Sequence, residues 1–192
     1  MNDFLLYTQL GLRHITDING YDHILFIVAF SAAYAYAEWR KLLVLITAFT
    51  IGHSLTLALS VLNIVAINAN IIETLIPITI LVTCISNVFI SKSANERQYI
   101  VVLFFGLIHG LGFSNYLKAI LGQSGNIILP LFSFNVGLEL GQIIIIIIFF
   151  TIYTLIQKMF HVEHLRLMRV TSTLVALAAI YLVFQSCTQL FS

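Results

Sequence analysis

The chain has 192 residues, of which 60% are hydrophobic and 9% charged, and its mean hydropathy is +1.02. Soluble globular proteins carry about 25% charged residues, so this composition excludes a soluble domain and indicates an integral membrane protein. The formal net charge of +1 offers no basic surface for nucleic acid, and Cys84 and Cys187 lack the spacing of a disulfide framework or a thiolate metal site.

Apolar segments long enough to cross a bilayer, about 20 residues each, occur six times along the chain. They cover roughly residues 22–38, 42–66, 70–91, 98–117, 127–157 and 168–190. Residues 3–12 are too short to span, and we expect an interfacial helix or a cap there. The N-terminus lacks a cationic start and a small-residue cleavage site, so we expect it to be retained. The sequence therefore predicts an all-α integral membrane protein, one polytopic domain over residues 1–192, with six transmembrane helices plus a short N-terminal interfacial helix.

The distribution of Lys and Arg predicts the orientation of these spans. Seven of the nine basic residues follow the first, third and fifth spans, and only Arg13 and Lys118 lie on the opposite side. Positive residues accumulate in cytoplasmic connections. We therefore expect both termini outside the cytoplasm.

The segment before the first span combines two histidines with a carboxylate. His14 precedes the Asp22-His23 pair by a separation that is too irregular for one helical face, and Gly20 lies between them. We expect a loop that folds back and brings His14 to the pair. Imidazole and carboxylate ligands suit Zn, Ni, Co or Fe, whereas Ca²⁺ and Mg²⁺ prefer oxygen ligands.

Ionisable and polar groups also occur inside the spans, where an unsatisfied polar group is costly. They are His53 with Ser54 in the second span, Glu73 at the start of the third, His109 in the fourth, and Asn135, Glu139 and Gln142 in the fifth. His53 and His109 share the pattern F-x-x-x-H-small-L, on spans predicted to run in the same direction. These groups predict a shared polar interior in the outer half of the membrane.

Simpler interpretations exist for several of these residues. A single intramembrane histidine often bonds a neighbouring helix, and Glu73 can be explained by the dipole at a helix N-terminus. The glycines near His109 are typical of close helix packing. His161, Glu163 and His164 form H-x-E-H after the fifth span, which fits a solvated loop better than a point where metal is handed over.

Five sequence blocks, taken in order, resemble the HupE/UreJ family of small bacterial membrane proteins. The blocks are GYDHILF, FTIGHSLTL, Glu73 before an Ile/Thr-rich span, FGLIHGLGF and FNVGLELGQ, and the resemblance runs from about His14 to Gln142. It implies a nickel or cobalt permease in which His14, Asp22, His23, His53 and His109 handle metal. The hydrogenase-linked members have a cleavable signal and a shorter spacing from His to Asp-His, so the chain resembles a divergent branch.

Three functions remain open at this point. The first is transport of a divalent transition metal (Ni, Co or Zn) across the membrane, with the gradient or potential as driving force. The second is a zinc-dependent intramembrane hydrolase acting on a lipid or a membrane-anchored peptide, with Asp22 or Glu139 as general base. The third is an accessory subunit whose polar stripes bind partner helices. The expected partners are the metal ion and membrane lipid.

Overall fold

The computed structural model describes residues 2–89, 97–121 and 127–190, and within these ranges the regular structure is helical. The α-helices are α1 (Asp3–Ile15), α2 (Asp22–Ala32), α3 (Trp39–Val61), α4 (Ala69–Phe89), α5 (Arg97–Gly112), α6 (Ser114–Leu121), α7 (Ile128–Phe160) and α8 (His164–Leu190). A 3-10 turn, Tyr36–Glu38, precedes α3. The predicted all-helical class is confirmed.

Among the described residues, four segments are long and apolar enough to cross a membrane: Tyr36–Val61, Ala69–Phe89, Ile128–Phe160 and His164–Thr188. The pair α5 and α6 makes a fifth if the two helices, which are bent by 50° relative to each other, form one span. The predicted first span, 22–38, is not one helix, because α2 has only 11 residues and ends at Ala32. The membrane class is supported, while the count of six spans is not confirmed.

One predicted span is broken, and another forms a single long helix. Helix α5 ends at Gly112, inside the predicted span 98–117. The chain turns at Phe113, and α6 begins at Ser114. The Ser114 hydroxyl donates to the Leu111 carbonyl at 2.7 Å, which satisfies a backbone oxygen at the end of α5. By contrast, α7 runs unbroken for 33 residues to Phe160, and the residue that follows, His161, has the left-handed φ of 50°.

Helices α3 and α5 pack in direct backbone contact through glycine. A Cβ on Gly52 would overlap the Leu103 carbonyl, and one on Gly106 would overlap the Phe49 carbonyl. One turn further, Gly110 lies against the His53 carbonyl. Contacts that advance together along both helices require the same direction, as the sequence predicted. Small residues permit this close approach, and it sets His53 beside the backbone of α5.

Helix α1 packs against the first half of α7 in the same manner. Gly11 lies against the Phe134 carbonyl and Gly137 lies against the Thr8 carbonyl. One turn further along both helices, Gly141 lies against the Ile15 side chain. The two helices run in the same direction, so α1 does not lie across the helix ends as an interfacial helix would. Ile24 of α2 borders a groove beside Ile144 and Ile148, further along α7. Helices α1 and α2 therefore follow one another along α7, with residues 16–21 as the break.

Side-chain hydrogen bonds join α4 to α2 and α8. The Asn87 amide donates to the Ala29 carbonyl at 2.7 Å and to the Ser172 hydroxyl at 3.1 Å, linking α4 to α2 and α8. Pro77 inside α4 has no N–H for the Glu73 carbonyl four residues earlier, and that carbonyl instead accepts the Ser186 hydroxyl at 3.1 Å. These hydrogen bonds fix the positions of α2 and α4 relative to α8.

Candidate metal centre

Four histidines from four helices meet in the bundle. His14 is near the end of α1, His23 is the second residue of α2, His53 lies in α3 and His109 lies near the end of α5. The ring centroids are 4.7 Å apart for His14 and His23, 6.1 Å for His23 and His53, and 5.1 Å for His23 and His109. The predicted return of the chain from His14 to the Asp22-His23 pair is confirmed. We call these four residues the histidine cluster.

Five ring nitrogens of the histidine cluster are buried and have no hydrogen-bond partner among the described residues. They are Nε2 of His14, Nε2 of His23, both ring nitrogens of His53 and Nδ1 of His109. His53 and His109 are fully buried, and His23 is 4% exposed. One ligand atom each from His14, His23 and His53 lies within 4.8 Å of the others. Several imidazole nitrogens that converge without partners are the donor set of a transition-metal site.

Asp22 and Thr79 each contact one ring nitrogen of a histidine in the cluster. Asp22 Oδ1 lies 3.0 Å from His23 Nδ1 and also accepts the His23 backbone N–H at 2.9 Å. On the opposite side, the Thr79 hydroxyl lies 3.0 Å from His109 Nε2. Metal-binding histidines commonly use their second nitrogen in this manner, because the contact fixes the ring and its tautomer.

Aromatic side chains enclose the cluster. Phe113 stacks 3.8 Å from His14, and Phe134 lies 5.8 Å from the same ring. Phe26 and Phe49 lie 5.2 and 5.1 Å from His109 and contact each other at 5.0 Å. These two rings form an apolar floor toward the second half of α2. Such a shell excludes water and strengthens electrostatic interactions between the nitrogens and a cation.

Two recesses approach the cluster from the surface around residues 16–21. One, of about 840 Å³, is bordered by Arg13, His14 and Tyr116. The other, of about 440 Å³, is bordered by Asp22, Glu73 and Gln185, between the beginnings of α2 and α4 and the end of α8. The second recess carries two carboxylates and thus offers the more favourable approach for a cation. The predicted supporting residue Glu73 lies here, exposed, and outside the histidine cluster.

The other predicted supporting residues lie on the α3–α7 contact. Thr50 donates to Gln142 Oε1 at 2.9 Å in the core, and Thr47 donates to Glu139 Oε1 at 2.6 Å at the bundle surface. Ser54 donates to the Thr50 carbonyl of its own helix. Asn135 Oδ1 is buried and has no hydrogen-bond partner. Among these residues the Glu139 carboxylate lies outside the group formed by His14, His23 and His53.

The H-x-E-H residues do not converge. His161 and Glu163 are exposed. The Tyr153 hydroxyl lies 3.0 Å from His164 Nδ1 and donates to the His164 carbonyl at 3.1 Å. His164 therefore contributes to the turn between α7 and α8, in line with the simpler interpretation of this loop.

Sequence reasoning missed Thr79 and the two rings over His14. Thr79 lies in α4 among other threonines whose hydroxyls bond their own helix, so its type gives no signal. Phe113 and Phe134 belong to blocks rich in phenylalanine. Only the approach of His14 to the turn after α5 and to α7 selects these two from the rest.

An all-helical bundle with membrane-length apolar helices and a buried histidine cluster defines a polytopic membrane protein with a candidate metal centre. A sequence model of the HupE / UreJ protein family matches residues 1–186, nearly the whole chain. The chain belongs to this family. Searches of curated proteins and of solved structures find no significant match.

Proposed function

We propose that the protein transports a divalent transition metal ion, such as Ni²⁺ or Co²⁺, through the histidine cluster. The observation that carries the proposal is the convergence of partnerless ring nitrogens from α1, α2 and α3 within 4.8 Å. Membership in the HupE/UreJ family, which is associated with nickel and cobalt transport, supports transport of a metal ion. Nitrogen ligands favour Ni, Co or Zn over Ca²⁺ and Mg²⁺.

The proposed path begins at the recess that Asp22 and Glu73 border. The carboxylates attract the ion, and His14 and His23 take it into the cluster with His53 and His109. Phe26 and Phe49 form the closed floor, so release toward the other side requires these rings to move. Beyond them, the Thr50–Gln142 and Thr47–Glu139 pairs offer oxygen ligands. A transported ion must be held weakly enough to leave.

We further propose six crossings of the bacterial inner membrane, with both termini outside. Helices α1 and α2, of 13 and 11 residues, follow one another along α7 and together make the first crossing. Their combined helical length is about 36 Å, sufficient for a hydrocarbon core of about 30 Å. The break between them adjoins the histidine cluster. Transporters commonly place their ion sites at such discontinuous helices.

The second candidate is a zinc-dependent intramembrane hydrolase. The observation that favours it is the aromatic floor, which closes the bundle beneath a group of three histidines. A catalytic zinc site has three protein ligands and one open position. Against it, Asp22 is already engaged with His23, and Glu139 bonds Thr47 outside the cluster, so neither proposed base faces the three ligand atoms freely.

Metal analysis and transport measurements on purified protein test the two candidates. The protein is reconstituted in sealed vesicles, and uptake of Ni²⁺ and Co²⁺ is followed. We expect uptake by the wild type and its loss in His23→Asn, while His161→Asn remains active as a matched histidine control. Asparagine tolerates the left-handed backbone of His161. Stoichiometric zinc that survives dialysis, with no uptake of nickel or cobalt, would contradict transport and favour the hydrolase.

A further inference from the structure

The hydroxyl of Thr79 determines which nitrogen of His109 carries hydrogen. Thr79 Oγ1 lies 2.7 Å from the Ile76 carbonyl of its own helix and 3.0 Å from His109 Nε2. A carbonyl oxygen only accepts, so an oxygen–oxygen distance this short requires the single hydroxyl hydrogen to lie between Thr79 and Ile76. Toward His109, Thr79 can then only accept. The hydrogen bond assigns the proton to Nε2.

The opposite nitrogen of the ring is therefore the one with a free lone pair. His109 Nδ1 is buried and has no partner, and the ring lies 5.1 Å from His23. His23 is oriented similarly, because the Asp22 carboxylate accepts from Nδ1 and leaves Nε2 unpaired. Asp22 and Thr79 lie on different helices, α2 and α4. Together they leave one nitrogen with a free lone pair on each of the two neighbouring rings, Nε2 of His23 and Nδ1 of His109.

We propose that Thr79 is a positioning residue that holds His109 as its Nε2–H tautomer, so that the unpaired Nδ1 is available to a metal ion beside His23. The inference rests on the proposed metal binding and deepens it.

Three variants isolate the role of Thr79. Thr79→Val keeps the size and branching of the side chain but removes the acceptor, and Thr79→Ser keeps the hydroxyl. Thr83→Val is the matched control, because Thr83 is also buried in α4 and its hydroxyl bonds only the Thr79 carbonyl, at 2.8 Å. Folding of each variant is checked by size-exclusion chromatography and thermal unfolding in detergent.

The measurement is titration of purified protein with Co²⁺ alone, followed by the visible d–d absorption of the bound ion, which reports the number and geometry of its ligands. We expect Thr79→Val to alter the bands and to weaken Co²⁺ affinity by about 10- to 100-fold, the usual effect of losing a contact behind a ligand. Thr79→Ser and Thr83→Val should resemble the wild type. If Thr79→Val binds Co²⁺ with the wild-type spectrum and affinity, the positioning role is wrong.

The two proposals fail in different ways. If wild-type protein binds no Co²⁺, the metal site itself is refuted. If Thr79→Val does not fold, ¹⁵N resonances of histidine-labelled, metal-free wild type decide the question, with the signal of His109 assigned by its loss in His109→Gln. Protonation at Nε2 supports the proposal, and protonation at Nδ1 overturns it.

Discussion

Within the part of the chain that the structure describes, seven buried side-chain nitrogen and oxygen atoms lack a hydrogen-bond partner, and five of them belong to the histidine cluster. Leaving a buried polar group unpaired costs about 1–3 kcal/mol. A fold that needed these histidines only for packing would have apolar residues instead. Because the unpaired atoms are concentrated in the histidine cluster, we infer that this cluster binds a ligand.

His53 offers the sharpest test of that cost, since both its nitrogens are unpaired and its side chain is fully buried. We expect His53→Leu to raise the free energy of unfolding of the metal-free protein, by about 1–3 kcal/mol for each unpaired nitrogen removed. The same variant should lose metal binding. Thermal unfolding in detergent with a chelator measures the first effect. A clear loss of stability without metal would show that His53 serves the fold.

Metal should stabilise the wild type in proportion to its occupancy. A ligand at 100 times its dissociation constant adds about 2.7 kcal/mol if it binds only the folded state. We expect the unfolding temperature to rise with added Ni²⁺ or Co²⁺ and to return after chelation. The His53→Leu variant should show no such rise. An equal rise in that variant would place the metal elsewhere.

Asp22 is expected to act through His23. Asp22→Asn keeps an oxygen acceptor of the same shape but removes the charge that supports the ring, and metal affinity should fall by about 10- to 100-fold. Asp17→Asn is the matched control, because Asp17 is exposed and its carboxylate accepts from Asn19 within the loop. Competition titration against a chelating indicator measures both. Equal affinity in the two variants would contradict the role of Asp22.

At the scale of elements, the cluster depends on helices that touch through glycine. Gly137 holds α1 against α7, and a Cβ there would overlap the Thr8 carbonyl, which a flexible side chain cannot relieve. Residue His14 is at the far end of α1. Displacement of this helix therefore separates His14 from the ligand atoms of His23 and His53.

We expect Gly137→Ala to destabilise the protein by about 1–3 kcal/mol, a common cost of overpacking, and to weaken metal binding at the same time. Gly20→Ala is the control, since its Cβ would have no neighbour closer than 3.9 Å. Thermal unfolding and metal titration are read on the same samples. Unchanged metal affinity in Gly137→Ala would show that the position of α1 does not control the site.

At the scale of the whole molecule, the orientation in the membrane determines from which side the ion arrives. The acidic recess lies between the beginnings of α2 and α4 and the end of α8, and the basic residues follow the opposite ends of the helices. Uptake from outside requires this recess to open outward. The topology is therefore part of the functional proposal.

Reporter fusions test this orientation. We expect a reporter that is active only outside the cytoplasm to work at either terminus, because positive residues are retained inside. The same reporter placed after Val162, in the connection between α7 and α8, should be inactive there. A second reporter that is active only in the cytoplasm should give the reverse pattern. Cytoplasmic termini would make the recess an exit and reverse the proposed direction.

The sequence by itself determined the class of protein, most of its helical segments and the histidines that are candidate metal ligands. Hydropathy is a local property, so a run of apolar residues is sufficient to predict a membrane helix. Imidazole chemistry likewise belongs to the residue, and His14, His23, His53 and His109 were visible for that reason. The five sequence blocks also carried the family resemblance, which the match over residues 1–186 confirms.

Tertiary structure alone decided which of these residues meet. Helix rotation and depth depend on contacts between segments distant in the chain, such as Gly11 with Phe134 and Gly106 with Phe49. These contacts bring four histidines together and leave Glu139 with Thr47 on another face. They also place Thr79 behind His109, where one hydroxyl hydrogen selects the free nitrogen. No local sequence pattern predicts which nitrogen of His109 is free, because that depends on a contact between α4 and α5 and on the direction of the Thr79 hydroxyl hydrogen bond.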